Sequence, residues 1–211
     1  MDYVKAILFL ICFGGVPVYA ENPAPAQALQ KLIEGNRRFI SGGSLYPNRA
    51  IERRKETSEK QEPFAIIVGC SDSRVSPEII FDQGIGDLFI VRNAGNVVGP
   101  ISLDSVEFSS IYLHSSLILV LCHENCSAVR AVVEGETKDI ENVAALIEPA
   151  KKIAANEPGD RVENTIKANA RLVVAQLKQC EALKKLMSEG KLMIKAGYYN
   201  FHSGEVELLK D

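Results

Sequence analysis

Two short stretches of the chain carry residue types that can do chemistry together. One is Cys70-Ser-Asp-Ser-Arg74, at the end of the apolar run FAIIVG (64–69); the other is His123-Glu-Asn-Cys126, at the end of SLILVLC (116–122). Two thiolates and an imidazole are a donor set that suits zinc, and His-x-x-Cys brings two of them close together at the start of a helix. A helix start also favours the Cys126 thiolate. Three protein ligands leave a fourth position for water, as catalytic zinc sites do. Asp72 could be the fourth ligand or the hydrogen-bond partner of zinc-bound solvent, with Arg74 holding it in a charge-assisted pair. An ionised carboxylate only accepts hydrogen bonds, so Asp72 would draw the solvent proton towards itself and leave a lone pair for a substrate. A plainer reading of the same residues also stands: buried free cysteines, a satisfied core histidine, and an Asp–Arg pair closing a tight loop.

The elements around these stretches decide whether they meet. FAIIVG (64–69), DLFIVR (87–92) and SLILVLC (116–122) are short, continuous, β-branched runs of the kind that strands buried on both faces require. Helix-like stretches separate them: SPEIIFDQ, with Ser76 as N-cap and Pro77 at the first helical position, and SLDSVEFSSIYLH (102–114). A third, CSAVRAVVEG, closes on Gly135. Two or three helices are predicted over 140–188, and strands over 191–200 and 204–210 joined by a His-Ser-Gly turn. Near the start, ALQKLIEGNRRFI (28–40) has helical periodicity and leads into a charged linker. The alternation predicts one α/β unit: a mainly parallel sheet flanked by helices, with an N-terminal helical arm and a C-terminal strand hairpin. Such sheets bind ligands beyond the carboxyl ends of their strands, and both reactive stretches lie there.

At 211 residues, 46% hydrophobic and with a net charge of −3, the chain can bury a core and has no basic field for nucleic acid. Residues 1–20 have the pattern of a secretory signal: a lysine, the apolar AILFLICF, and VYA before Glu21. The expected division is a signal peptide at 1–20 cleaved near Ala20, a helical arm and linker at 21–62, and the catalytic unit at 63–211. The expected location is therefore secreted or periplasmic, with no membrane insertion of the mature chain. Removing the signal leaves Cys70, Cys122, Cys126 and Cys180 in a chain too large to depend on disulfide staples.

CSDSRVSPEIIFDQGIGDLFIVRNAGN followed by HENCSAV resembles a β-class carbonic anhydrase, as do LQKLIEGNRRF and AGYYNFHSGEVELL at the two ends. The likeness covers essentially the whole mature chain. It implies one zinc ion per subunit on Cys70, His123 and Cys126, with Asp72 either closing on the metal or swung to Arg74 to orient zinc hydroxide. It implies attack of that hydroxide on carbon dioxide to give bicarbonate and a proton, in a homodimer or homotetramer. Gln61 would hydrogen-bond substrate, Phe89 and Phe108 would line a narrow apolar cleft reaching across a dimer interface, and Ser127 would offer its backbone N–H to bicarbonate. Ile67 stands where some members carry the Trp of a second bicarbonate pocket, so that pocket is not expected. Cys122 and Ser127 replace two glycines of the usual Gly-His-x-x-Cys-Gly. Cys122 would either fill the missing glycine's space or, after zinc loss, pair with Cys126. The rival functions are hydrolysis of carbonyl sulfide or carbon disulfide at the same site, an inactive zinc-stabilised binding or structural protein, and a thiol-redox protein. Cys-x₃-Cys lacks the spacing of the last.

Overall fold

A computed structural model describes residues 22–210, so the expected signal segment 1–20 lies outside the described residues. Five strands form one sheet: β1 (Ala65–Gly69), β2 (Leu88–Arg92), β3 (Leu117–His123), β4 (Met193–Tyr199) and β5 (Val206–Leu208). Their order is β2-β1-β3-β4-β5, parallel throughout except for the antiparallel β4–β5 hairpin at one edge. Every residue of β1 and β3 is buried, because helices cover both faces of the sheet.

Strand alternation sorts the core into two layers. Ile66, Val68, Ile118, Val120 and Cys122 face the larger helical layer. That layer comprises α4 (Pro100–Tyr112), α5 (Ser127–Glu134), α6 (Glu141–Ile153), α7 (Arg161–Gln179) and α8 (Glu181–Ser188). Ala65, Ile67, Leu117, Leu119 and Leu121 face α1 (Pro25–Ile40) and the short α3 (Pro77–Ile80). A six-residue α2 (Ile51–Glu56) carries part of the charged linker and buries none of its residues. Among the described residues no helix is long and apolar enough to cross a membrane.

The expected elements are present, with local differences. Ser76 occupies the N-cap position of α3, yet its hydroxyl lies 3.4 Å from the Glu78 carboxylate and bonds no backbone N–H of the helix. The helix predicted over 102–114 runs from Pro100 to Tyr112, since Pro fits the first turn and His114 takes a left-handed φ of +58°. The last strand is only three residues long.

The arm is tied into the fold. The buried Asp82 carboxylate accepts from Arg38 Nε (2.6 Å) and from the backbone N–H groups of Leu45 and Tyr46 (both 2.9 Å), fixing the chain after α1. Gly35 on α1 lets that helix approach the end of α3; an added Cβ would stand 1.8 Å from the Phe81 carbonyl oxygen. Because backbone cannot move aside cheaply, Gly35→Ala should cost at least about 3 kcal/mol. Urea unfolding checks this, and a midpoint matching the wild type would show that α1 can slide.

Candidate metal centre

β1 and β3 are neighbours and parallel, so their carboxyl ends open on the same edge of the sheet. Cys70 follows the last residue of β1, His123 is the last residue of β3, and Cys126 is the residue just before α5. One ligand atom from each lies within 4.8 Å of the other two, and all three residues are buried. The two sulfurs are 4.0 Å apart. Two thiolates on a tetrahedral zinc, each at about 2.3 Å, would be about 3.8 Å apart, so the sulfurs already have the separation this metal needs. His123 Nδ1 is 2.8 Å from the Glu124 carbonyl oxygen. A carbonyl only accepts, so Nδ1 carries the hydrogen and Nε2 presents a lone pair. That Nε2 is buried without any hydrogen-bond partner. An orphaned acceptor facing two sulfurs fits a metal ligand and is costly otherwise.

Neighbouring residues hold this donor set. Gly95, in the single 3₁₀ turn after β2, has φ +67° and donates its N–H to Cys70 Sγ at 3.2 Å. A Cβ there would meet Ile147 Cδ1 at 2.8 Å, so the position favours glycine twice over. Asn169 of α7 anchors the turn by donating to the Gly95 carbonyl at 2.8 Å. Arg92 donates to the carbonyl oxygens of Cys70 (2.9 Å) and Asp72 (2.7 Å), shaping the loop that presents the thiol.

Asp72 is turned to Arg74, which reaches it through three bonds. The Arg74 backbone N–H and Nε both contact Oδ1 at 2.9 Å, and Nη2 contacts Oδ2 at 2.7 Å. This pairing holds the Asp72 carboxyl down at about 2. Asp72 Oδ2 is still only 3.8 Å from His123 Nε2, so the carboxylate borders the site without joining the ligand cluster. The Arg74 guanidinium also lies 4.2 Å over the Phe201 ring. The carboxylate end of this two-point pair is largely buried and the guanidinium half-exposed, so the ring, worth about 0.5–2 kcal/mol as a cation–π partner, adds to the carboxylate in placing Arg74.

The two ligand thiols share their ionisation. Cys70 is pulled below the usual thiol range, chiefly by the hydrogen bond from Cys126, against burial and with help from His123 and the Gly95 N–H. Cys126 is pushed up by the same bond, then by burial and the Cys70 charge; the N–H groups of Val129 and Ala128 oppose this and are outweighed. The N–H groups at the helix start do favour the Cys126 thiolate, as expected, while the neighbouring Cys70 sulfur opposes them, so the buried pair holds one proton between its two sulfurs. Zinc binding near neutral pH should then displace about one proton per site from the sulfur pair, not two. Calorimetry in buffers of different ionisation enthalpy measures this, and release of two would mean both thiols are protonated beforehand.

The other expected site residues are placed differently. Ser127 is exposed at the first position of α5, next to Cys126. Phe89 is half-buried on β2 and packs against the larger core layer. Phe108 is 46% exposed on α4 and stacks with Tyr112, ring centroids 5.5 Å apart. Gln61 is exposed before the amino end of β1, with the whole strand between it and Cys70. One chain does not bring Gln61 to the thiols, because five extended residues alone span about 16 Å. Cys122 does not join the ligand cluster. Strand alternation turns it to the face opposite His123, where its thiol donates to the Gly197 carbonyl at 3.3 Å and burial pushes it up to about 12. That leaves Cys122 a packing residue with a poorly reactive thiol. Sequence reasoning passed over Gly95, Arg92, Glu124 and Phe201. RNAGN offered a turn signal for Gly95, but nothing marked Phe201 as a neighbour of the site.

A mainly parallel sheet that gathers Cys, His and Cys at one edge, beside an Asp–Arg pair, defines an α/β protein with a cluster able to hold a metal ion. The family model described as carbonic anhydrase matches residues 65–206. A carbonic anhydrase of Mycolicibacterium smegmatis is 36% identical over 194 residues, covering 89% of this chain and 94% of that protein. Carbonic anhydrase 2 of Mycobacterium tuberculosis is 33% identical over the same shares. Among solved structures, the β-carbonic anhydrase CcaA superposes with a TM-score of 0.70 at 24% identity, covering 86% of this chain and 95% of that one. The Coccomyxa β-carbonic anhydrase bound to acetazolamide gives 0.67 at 26% identity, over 86% of each chain. The chain belongs to the β-carbonic anhydrase family, whose members are lyases.

Proposed function

We propose that this protein is a zinc-dependent carbonic anhydrase that interconverts carbon dioxide and bicarbonate. The observation that carries this is the buried, unpartnered Nε2 of His123 facing Cys70 and Cys126, with Asp72 held aside by Arg74. Cys70, His123 and Cys126 would hold the ion. When bound, zinc supplies Lewis-acid activation of water, which makes a nucleophile available near neutrality; two thiolate ligands make it a weaker acid than a three-histidine site. Asp72 then acts as a fixed acceptor. Both its oxygens are aligned by Arg74, so it takes a hydrogen bond from a substrate-side O–H and gives none. Arg92 and Gly95 keep the Cys70 loop from relaxing, which preserves that alignment. Ser127 offers a backbone N–H at the head of α5 to the oxyanion of bicarbonate.

Gln61 and Phe108 serve the site from a second copy in this reading, as a homodimer or a tetramer built from it. The support is their exposure together with Ile101, Ile111 and Tyr112, an apolar strip along α4 that a lone chain leaves open. Solved tetrameric β-carbonic anhydrases of Sordaria macrospora share the fold, with a TM-score of 0.69. Export to the periplasm or outside the cell is proposed from the charged, apolar and small-residue segments of residues 1–20. Stopped-flow carbon dioxide hydration, with zinc content measured on the same sample, tests the activity. A fully zinc-loaded protein that leaves the uncatalysed rate unchanged would overturn it.

A further inference from the structure

The turn at residues 200–204, between β4 and β5, is fixed more firmly than a surface hairpin requires. Asn200 Oδ1 accepts from the backbone N–H groups of His202 (3.0 Å) and Ser203 (2.9 Å), forming an Asx turn. Glu124, the residue after the histidine ligand, accepts the Phe201 N–H on Oε2 at 2.9 Å. The buried Asn36 of α1 donates to the Gly204 carbonyl and accepts from the Val206 N–H, both at 2.9 Å. Gly204 has φ +73° and lies so close to α1 that an added Cβ would meet Phe39 Cε1 at 3.2 Å. These bonds together hold the ring of Phe201 in place. It lies 5.4 Å from the His123 imidazole and 5.5 Å from Tyr199, edge-on to the latter, with Arg74 over its face.

Arg74 needs such a support. Its side chain is 51% exposed, and among the described residues its one other hydrogen bond goes to the Asn125 carbonyl at 3.5 Å. The bond to Asp72 fixes one edge of the guanidinium, and the half-exposed remainder needs a further partner to keep its plane. A planar guanidinium packed on a fixed ring keeps its plane, and so keeps Nε and Nη2 aimed at the two carboxylate oxygens. We propose that Phe201 is a positioning residue that fixes the plane of Arg74 and thereby keeps Asp72 turned away from the ligand cluster. The consequence for catalysis rests on the function proposed above; the placement of Arg74 does not.

The test uses zinc-loaded protein with ¹⁵N-labelled arginine, comparing wild type with Phe201→Leu and Phe201→Tyr. In the wild type, Arg74 Nε–H should exchange slowly with water, its side-chain protons should be shifted upfield by the ring, and cross-relaxation to Phe201 should be visible. Phe201→Leu keeps apolar volume but removes the aromatic face, so Nε–H exchange should rise about fivefold. Carbon dioxide hydration should fall by a similar factor with zinc content unchanged, and Phe201→Tyr should restore both. Unaltered Arg74 exchange in Phe201→Leu overturns the proposal, whatever the rate does. If exchange responds and is rescued while the wild type hydrates no carbon dioxide, the positioning stands and the proposed reaction falls. Should Phe201→Leu fail to fold or to hold zinc, the wild-type spectrum decides: no ring shift and no cross-relaxation overturns the proposal.

Discussion

Cys70→Ser and His123→Ala should each lose zinc and carbon dioxide hydration together while keeping the fold. Each removes one of three donors gathered within 4.8 Å, the two sulfurs of which already have the separation the metal needs. Losing even an outer-shell partner commonly costs about ten- to a hundredfold in metal affinity, so losing a donor should cost more than about a hundredfold. The two variants also fail for different reasons. Serine does not restore the soft thiolate donor, and its hydroxyl is left opposite the Gly95 N–H and the Cys126 thiol. Alanine at 123 removes the unpartnered Nε2 and leaves the Glu124 carbonyl without its ring N–H. Neither change reaches the strand pairing of β1 with β3, which is backbone and fully buried. The measurements are metal content by mass spectrometry, hydration rate on the same sample, and near-ultraviolet circular dichroism for the fold. Either variant retaining a full equivalent of zinc at the wild-type rate would show that the ligands have been wrongly assigned.

The donor set was legible because it is local in a particular sense. Cys70 and the pair His123/Cys126 each follow a buried strand, and parallel neighbouring strands must open their carboxyl ends on one edge. Periodicity supplied the strands and the covering helices for the same reason: burial on both faces forces continuous apolar runs such as AIIVG and LILVLCH. What was not legible depends on distances between distant segments or on electrostatics between neighbours. Phe201 meets Arg74 only because Asn36, Glu124 and Asn200 fix a turn whose sequence reads as ordinary loop. Gln61 was named only through the family resemblance, and within one chain the whole of β1 lies between it and Cys70. Cys122 looked like a third thiol beside the metal; it shares a core layer with Cys70 and Cys126, yet its thiol bonds the Gly197 carbonyl and stays outside the ligand cluster. The pull of the helix start on Cys126 was legible; the opposing Cys70 sulfur 4.0 Å away was not.

Asp72→Asn should keep zinc and lose roughly a hundredfold in turnover, the scale at which misplacing a reacting group by about 1 Å is felt. The three ligands are untouched, so the loss belongs to orientation. Asparagine offers an N–H as well as a carbonyl, so it can donate where the carboxylate could only accept. It also gives Arg74 one acceptor in place of two, which loosens the clamp on Phe201's face. The pH profile separates this role from that of a titrating base. Arg74 depresses the Asp72 pKa in the folded protein to about 2. The stability it contributes is therefore fully present above the ordinary carboxylate value of about 3.9 and is lost only as pH falls towards the folded value. Asp72 is thus ionised throughout the neutral and alkaline range. A hydration rate that rises from about pH 6 to 9 follows the ionisation of activated water. Asp72→Asn should keep the midpoint of that rise at a lower plateau. Arg74→Ala acts in the opposite sense: it frees both carboxylate oxygens 3.8 Å from His123 Nε2 at their nearest, so Asp72 can turn in and compete for the metal. That variant should hold zinc at least as well as the wild type yet be slow at neutral pH. A normal rate in Asp72→Asn would mean that Asp72 only closes the loop after Cys70 and plays no part in aligning the nucleophile; a midpoint that moves with the substitution would mean that Asp72 takes part in the titration itself.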